Sequence, residues 1–194
     1  MVDSIIFDLD GTLWDSTGEI IKCWKKTLPD LPKNILELVM GKTPEEIAHT
    51  FSIPIEIVQS VQRREIDWLM KNPVAPYIGV TLMLQYLGDR FPMFIVSNCQ
   101  PGYIECFLTS NNLADFFRDH KCSEDGTKAG NIKSLMDEYG LQRPLVVGDT
   151  QDDLEAAEAN NLPFIWAAYG FGFAKRCKAI IYKPIDLMLK VQDV

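Results

Sequence analysis

Four short runs of Ile, Val, Leu and Phe, at residues 4 to 7, 93 to 96, 145 to 147 and 164 to 167, constrain this chain more than any other feature. Each is nearly continuous in apolar residues and lacks the alternation of a strand that shows one face to water. Such runs suit strands buried on both faces, as in a parallel sheet. Parallel neighbours need long crossovers, and the stretches between the later runs carry helical patterns. These fall at residues 81 to 87, 101 to 111 and 152 to 160, with a further stripe of Ile132, Leu135, Met136 and Tyr139 that Gly140 is placed to stop. Strands alternating with helices of this length predict right-handed crossovers and an α/β fold, a Rossmann-like doubly wound parallel sheet in three α/β/α layers. Residues 116 to 122 and 179 to 182 are expected to add strands.

Residues 16–73 break this rhythm. They hold helix signals and no convincing strand: Ser16-Thr17-Gly18-Glu19 and Thr43-Pro44-Glu45-Glu46 both read as capping boxes, and residues 55 to 72 form a long amphipathic pattern behind Pro54. The division that follows is a core of residues 1–15 and 74–194 with a helical insertion at 16–73. A chain of 194 residues can bury one sizeable core and such an insertion.

Bulk properties exclude several classes of function. A formal charge of -8, with no Lys/Arg run longer than the pairs at 25–26 and 63–64, argues against a nucleic-acid partner. No apolar window reaches the roughly 18 residues of a membrane span, and the N-terminus lacks a leader pattern, so no membrane is expected and the cytoplasm is the expected location. The five cysteines are odd in number and form no C-x-x-C pair, which predicts packed, reduced thiols and neither disulfides nor a zinc site.

Three of the four apolar runs end in a residue that can do chemistry: Asp8 after the first, Ser97 after the second and, one glycine later, Asp149 after the third. Open α/β sheets bind ligands outside the carboxyl ends of their strands, so parallel pairing would gather these groups from distant parts of the chain. Each has an ordinary reading too. Asp10-Gly11 between apolar residues suits a type I′ hairpin turn, Ser97-Asn98 suits a strand-end cap, and Thr150-Gln151-Asp152-Asp153 fits a helix-capping pattern. Lys128 stands at the start of a predicted helix, where the macrodipole disfavours a cation unless an anion is held there. Gathering Asp8, Asp10, Asp149 and Asp153 would also set like charges together, at about 4 kcal/mol for a pair 4 Å apart in an effective dielectric of 20. A cation must then join them. Carboxylates without nearby Cys or His select Mg²⁺, which typically keeps a substrate phosphate among its ligands.

With Asp8-Leu9-Asp10-Gly11-Thr12, Ser97-Asn98, Lys128 and Gly148-Asp149-Thr150-Gln151-Asp152-Asp153 in this order, the chain resembles the haloacid dehalogenase superfamily, in its phosphatase branch. The insertion looks like the small helical cap of that branch, and Val39-Met40-Gly41-Lys42 with Glu45-Glu46 is similar to cap segments of phosphoglycolate-phosphatase-like members. The resemblance implies a Mg²⁺-dependent phosphatase of a small phosphorylated metabolite. Asp8 would be the nucleophile and Asp10 the proton carrier. Ser97, Asn98 and Lys128 would hold the phosphoryl oxygens, and Asp8, Asp10 (through its backbone carbonyl), Asp149 and Asp153 would hold the metal, with Asp152 a competitor for the last place. Tyr169-Gly170-Phe171-Gly172 is a further stretch placed to line the cleft, and Lys22, Lys25, Lys42, Trp14 and Trp24 are candidates to select the leaving group. A phosphosugar mutase on the same core, and a non-catalytic binding protein that kept the fold, are the competing readings. Oligomeric state is left open.

Overall fold

The computed structural model describes residues 1–30 and 39–193. Six strands form one parallel sheet: β1 Ser4–Phe7, β2 Met93–Val96, β3 Asp119–Lys121, β4 Pro144–Gly148, β5 Phe164–Ala167 and β6 Ile180–Ile181. Their order is β3-β2-β1-β4-β5-β6, so the chain winds outward from β1 in one direction, then returns to the other side of β1 and winds the opposite way. The switch point between β1 and β4 is where an open α/β sheet leaves a crevice at its carboxyl edge.

The central strands alternate their side chains between two cores. Ile6, Phe94, Val96 and Val146 meet Ile132 and Leu135 of α6 (Lys128–Tyr139) and Ala156 and Ala157 of α7 (Gln151–Ala159) on one face. Ile5, Phe7, Met93, Ile95, Leu145 and Val147 point the other way, toward α4 (Val80–Gly88), α5 (Tyr103–Asn111) and the short α8 (Leu187–Lys190). Both faces being covered explains why these strands read as unbroken apolar runs. Gly140 stops α6 as expected, in the left-handed conformation at φ 67°.

Among the described residues the remaining α-helices lie in the interval after β1: α1 Thr17–Thr27, α2 Pro44–Phe51 and α3 Ile55–Lys71. Among the described residues this interval has no strand, and α1 and α2 pack on α3, which in turn meets α5. Its two ends are pinned together. Trp14 forms a bridge with Pro76 and donates its indole N–H to Val74 O at 2.9 Å, while Tyr77 N donates to Leu13 O at 3.1 Å. Residues 31 to 38, part of the expected insertion, lie outside the described residues.

Several local expectations need correction. The capping box at Thr43 forms, with Glu46 returning to the Thr43 N–H at 2.8 Å, but Ser16 makes no cap bond, because its backbone is helical at φ −74° and ψ −16° rather than extended and its hydroxyl is turned to Asp10. Residues 116 to 122 hold only the three-residue β3, Phe116 belonging instead to a 3₁₀ turn. Residues 9 to 14 make a tight turn with Gly11 at φ 83° and Asp10 at negative φ, so the type I′ hairpin, which needs two successive positive values, does not form. The five cysteines are free, with Cys23, Cys99 and Cys106 buried.

Leu135 is fully buried beneath the sheet. Leu135→Ala is expected to lower unfolding free energy by about 2 to 5 kcal/mol in urea denaturation; unchanged stability would contradict the second core.

Candidate active site

Asp8, Ser97 and Asp149 follow β1, β2 and β4, three adjacent strands in parallel register, and so share one edge of the sheet. Lys128 opens α6, where the Thr127 side chain caps the helix by accepting from Gly130 N. Asp153 is the third residue of α7 and closes a capping box on Thr150, its Oδ2 accepting from Thr150 N at 2.9 Å. The ordinary and chemical readings of that motif thus coexist, since one oxygen caps the helix and the other faces Lys128.

Asp8, Asp149 and Asp153 each bring a carboxylate oxygen to within 4.8 Å of the others. One ammonium answers them: Lys128 Nζ donates to Asp8 Oδ1 at 2.9 Å and to Asp153 Oδ1 at 2.6 Å. All four side chains are buried. Burial, then repulsion from Asp153, holds the Asp8 carboxyl well above the ordinary carboxylate range, with Lys128 pulling against them. Burial and Asp153 likewise push Asp149 up to about 7, against the Gly172 N–H and Lys128. For Lys128 burial works to discharge the ammonium, but Asp153 and Asp8 outweigh it and hold the charge in place. Three buried carboxylates with one cation form an all-oxygen donor set that is short of positive charge, which fits a small divalent ion.

Asp10 stands apart from this trio. Its Oδ1 accepts from Ser16 Oγ at 2.5 Å and from the Tyr103 hydroxyl at 3.0 Å, and burial pushes it up to about 6 in spite of both bonds. Ser97 and Asn98 line the same cleft. Asn98 Nδ2 donates to Asp152 Oδ2 at 2.8 Å and to Gly41 O at 3.2 Å, tying the sheet edge to the segment ahead of α2. Asp152 is therefore engaged with Asn98, while Asp153 joins the acidic trio.

The glycine-rich stretch after β5 supports the acids from behind. Gly172 N donates to Asp149 Oδ2 at 2.8 Å, and Tyr169 donates its hydroxyl to Thr12 O at 2.7 Å. A Cβ on Gly170 would lie 2.5 Å from Asp149 Cβ, and one on Gly11 would lie 2.5 Å from Asp149 Cγ. No side chain fits at either position without displacing the acid.

The sequence reading missed Ser16, Tyr103, Gln62, Glu65 and Gln100, which surround the same cleft or brace its acids. For Gln62 and Glu65 a signal existed: both fall on the buried stripe of α3 with Val58, Val61 and Leu69. Of the leaving-group candidates, Lys42 lines the mouth, Lys22 pairs with Glu19, Trp14 is core, and Trp24 donates to Glu65. Burial pushes Glu65 up to about 8, in spite of hydrogen bonds from Trp24 and Gln100. An unfolded chain would titrate it near ~4.3. The fold thus favours the protonated form: this stabilisation is complete below about pH 4 and is lost as pH rises through about 8. In urea unfolding, the stability of the wild type relative to Glu65→Gln is expected to fall by roughly 1 kcal/mol per unit between about pH 5 and 8. A pH-independent difference would mean that Glu65 is already ionised in the fold.

Comparison with known proteins gives the family. The sequence model of the haloacid dehalogenase-like hydrolases matches residues 5–167. Curated relatives include phosphoglycolate phosphatases of Photorhabdus laumondii, 24% identical over 90% of this chain and 83% of that protein, and of Aquifex aeolicus, 26% identical over 86% and 85%. Among solved structures, a predicted phosphatase from Clostridium acetobutylicum superposes with a TM-score of 0.85 over 100% of both chains at 23% identity, a likeness of fold. Since the family match takes in every strand but the last together with the acids and lysine of the cleft, the chain belongs to the haloacid dehalogenase-like hydrolases.

Proposed function

We propose that this hydrolase is a Mg²⁺-dependent phosphatase of small phosphate monoesters, working through a phosphorylated Asp8. The observation that carries the reading is the buried trio of Asp8, Asp149 and Asp153 around the Lys128 ammonium, with Asp10 set apart and held by neutral donors. The names of the curated relatives point the same way.

Asp8, the Asp10 backbone carbonyl, Asp149 and Asp153 would hold Mg²⁺. When bound, the ion offsets the negative charge of the trio and of the substrate phosphate. Asp8 attacks phosphorus and takes the phosphoryl group, which divides one difficult hydrolysis into two easier displacements. Asp10, raised to about 6, carries a proton near neutral pH to the departing alkoxide. It then accepts one from the water that cleaves the aspartyl phosphate. Ser16 and Tyr103 fix its orientation for both transfers. Ser97, Asn98 and Lys128 hold the oxygens of the moving group.

Residues 16–73 serve as a helical cap on the core of 1–15 and 74–194. The cleft supports this division, because Gly41, Ile47, Gln62 and Glu65 line it from the insertion while Asp8, Ser97 and Asn98 line it from the sheet. Such a roof keeps bulk water from the acyl phosphate until the leaving group departs. Among the described residues no helix is long and apolar enough to cross a membrane, consistent with a dissolved metabolite as substrate. Neither the mutase nor the non-catalytic alternative gains support, since the relatives carry phosphatase names and none of the motif residues is replaced.

Asp8→Asn is expected to lower phosphate release from an aryl phosphate by at least ~10³-fold while circular dichroism stays native. Retained turnover would remove Asp8 as nucleophile. Adding Mg²⁺ to metal-free protein should stabilise it by about 2.7 kcal/mol at 100 times the dissociation constant. Asp149→Asn should abolish that gain in a thermal melt; an equal gain would place the ion elsewhere.

A further inference from the structure

The buried inner end of the cleft, lined from α3, carries polar groups that the chemistry at phosphorus does not use. Gln62 is 4% exposed, and its Oε1 is buried with no hydrogen-bond partner among the described residues. One turn along α3, Glu65 is equally buried; it accepts N–H bonds from Trp24 and from Gln100, the latter at 2.8 Å. Gln100 Nε2 also reaches the Gln62 backbone oxygen at 3.2 Å, so the amide of Gln100 is committed to holding α3 over the sheet. Both Gln62 and Glu65 line the same cavity as Asp8 and Asp10. An unpaired acceptor at this depth costs about 1 to 3 kcal/mol, so its retention calls for a partner that arrives with the ligand.

The partner's chemistry follows from what is unsatisfied. Gln62 Oε1 needs a donor. Among the described residues no cation touches Glu65, whose two hydrogen-bond donors there are neutral, and burial favours its uncharged form, which has an O–H to give. The inner end therefore offers one spare acceptor and one spare donor. A hydroxyl group answers both at once. A carboxylate answers only the donor, sets its oxygens against Gln62 Oε1, and adds negative charge to a cleft that already holds Asp8 and Asp10. Among the described lining residues the only cation is Lys42, which is exposed to solvent.

We propose that the leaving group is a small neutral polyol whose hydroxyl bridges Gln62 Oε1 and Glu65, and that carboxylate-bearing esters are disfavoured. This rests on the phosphatase reading and narrows it. It also separates this chain from the substrate in the names of its curated relatives.

The test compares kcat/KM with Mg²⁺ for glycerol 3-phosphate, 2-phosphoglycolate, phosphoethanolamine and an aryl phosphate. Glycerol 3-phosphate is expected to exceed 2-phosphoglycolate and phosphoethanolamine by about tenfold or more, the scale of one satisfied buried hydrogen bond. Gln62→Met should collapse the glycerol 3-phosphate to 2-phosphoglycolate ratio by a similar factor, and Gln62→Glu should move the preference toward phosphoethanolamine. Ratios are unaffected by any fraction of a variant that fails to fold. Aryl phosphate turnover with a preference for 2-phosphoglycolate or phosphoethanolamine in the wild type, or an unmoved ratio in Gln62→Met, would overturn this inference and leave the phosphatase reading standing. No turnover of any of the four esters would overturn both.

Discussion

Lys128 stands between Asp8 and Asp153, 2.9 Å and 2.6 Å from their oxygens, and among the described residues it is the single buried cation set against the acidic trio. The rest of the site depends on this imbalance. Three carboxylates taken out of water repel one another, and one ammonium neutralises only part of their charge, so protons must supply the remainder while no other cation is bound. The raised Asp8 and Asp149 express that demand. A nucleophilic carboxylate has to be ionised, and on the proposed reading a divalent ion held by Asp8, Asp149 and Asp153 would supply the positive charge that favours that form.

The fold supplies the geometry that makes such crowding possible. β1, β2 and β4 lie side by side and in register, so residues separated by as many as 141 positions (Asp8 to Asp149) stand on one edge without any local contact between them. Two glycines then clear space for the acids: a side chain at Gly11 or Gly170 would occupy the position of Asp149 itself. Asp10 is treated differently. The Ser16 hydroxyl that would have capped α1 is diverted to it, and Tyr103 joins from α5, so a helix end gives up a cap to hold one carboxyl in place.

Much of this was legible in the sequence, for a physical reason. Strands covered on both faces must be apolar throughout, so β1, β2, β4 and β5 stood out as runs, and Asp8, Ser97 and Asp149 stood out as the residues close behind them. The edges were harder. β3 is Asp119-His120-Lys121, half-buried and polar, so the strand expected over 116 to 122 is present but shrinks to three residues. The cap pattern at Ser16 misled because a tertiary partner outbid the local one. Tyr103 read as an ordinary aromatic at a helix start, and nothing in the local pattern tells that its hydroxyl faces Asp10. Gln62 and Glu65 were hidden by the opposite habit, the assumption that polar residues on an amphipathic helix face water; their spacing with Val58, Val61 and Leu69 puts them on the inner stripe.

The central claim is that Asp8, Asp149 and Asp153 together form the seat of one divalent cation. Anomalous diffraction from a crystal soaked in Mn²⁺, as a stand-in for Mg²⁺, tests it most directly. The account predicts a single strong peak about 2.1 Å from carboxylate oxygens of Asp8 and Asp149, with Asp153 reached directly or through one water. A peak elsewhere, or none at saturating metal, would contradict it.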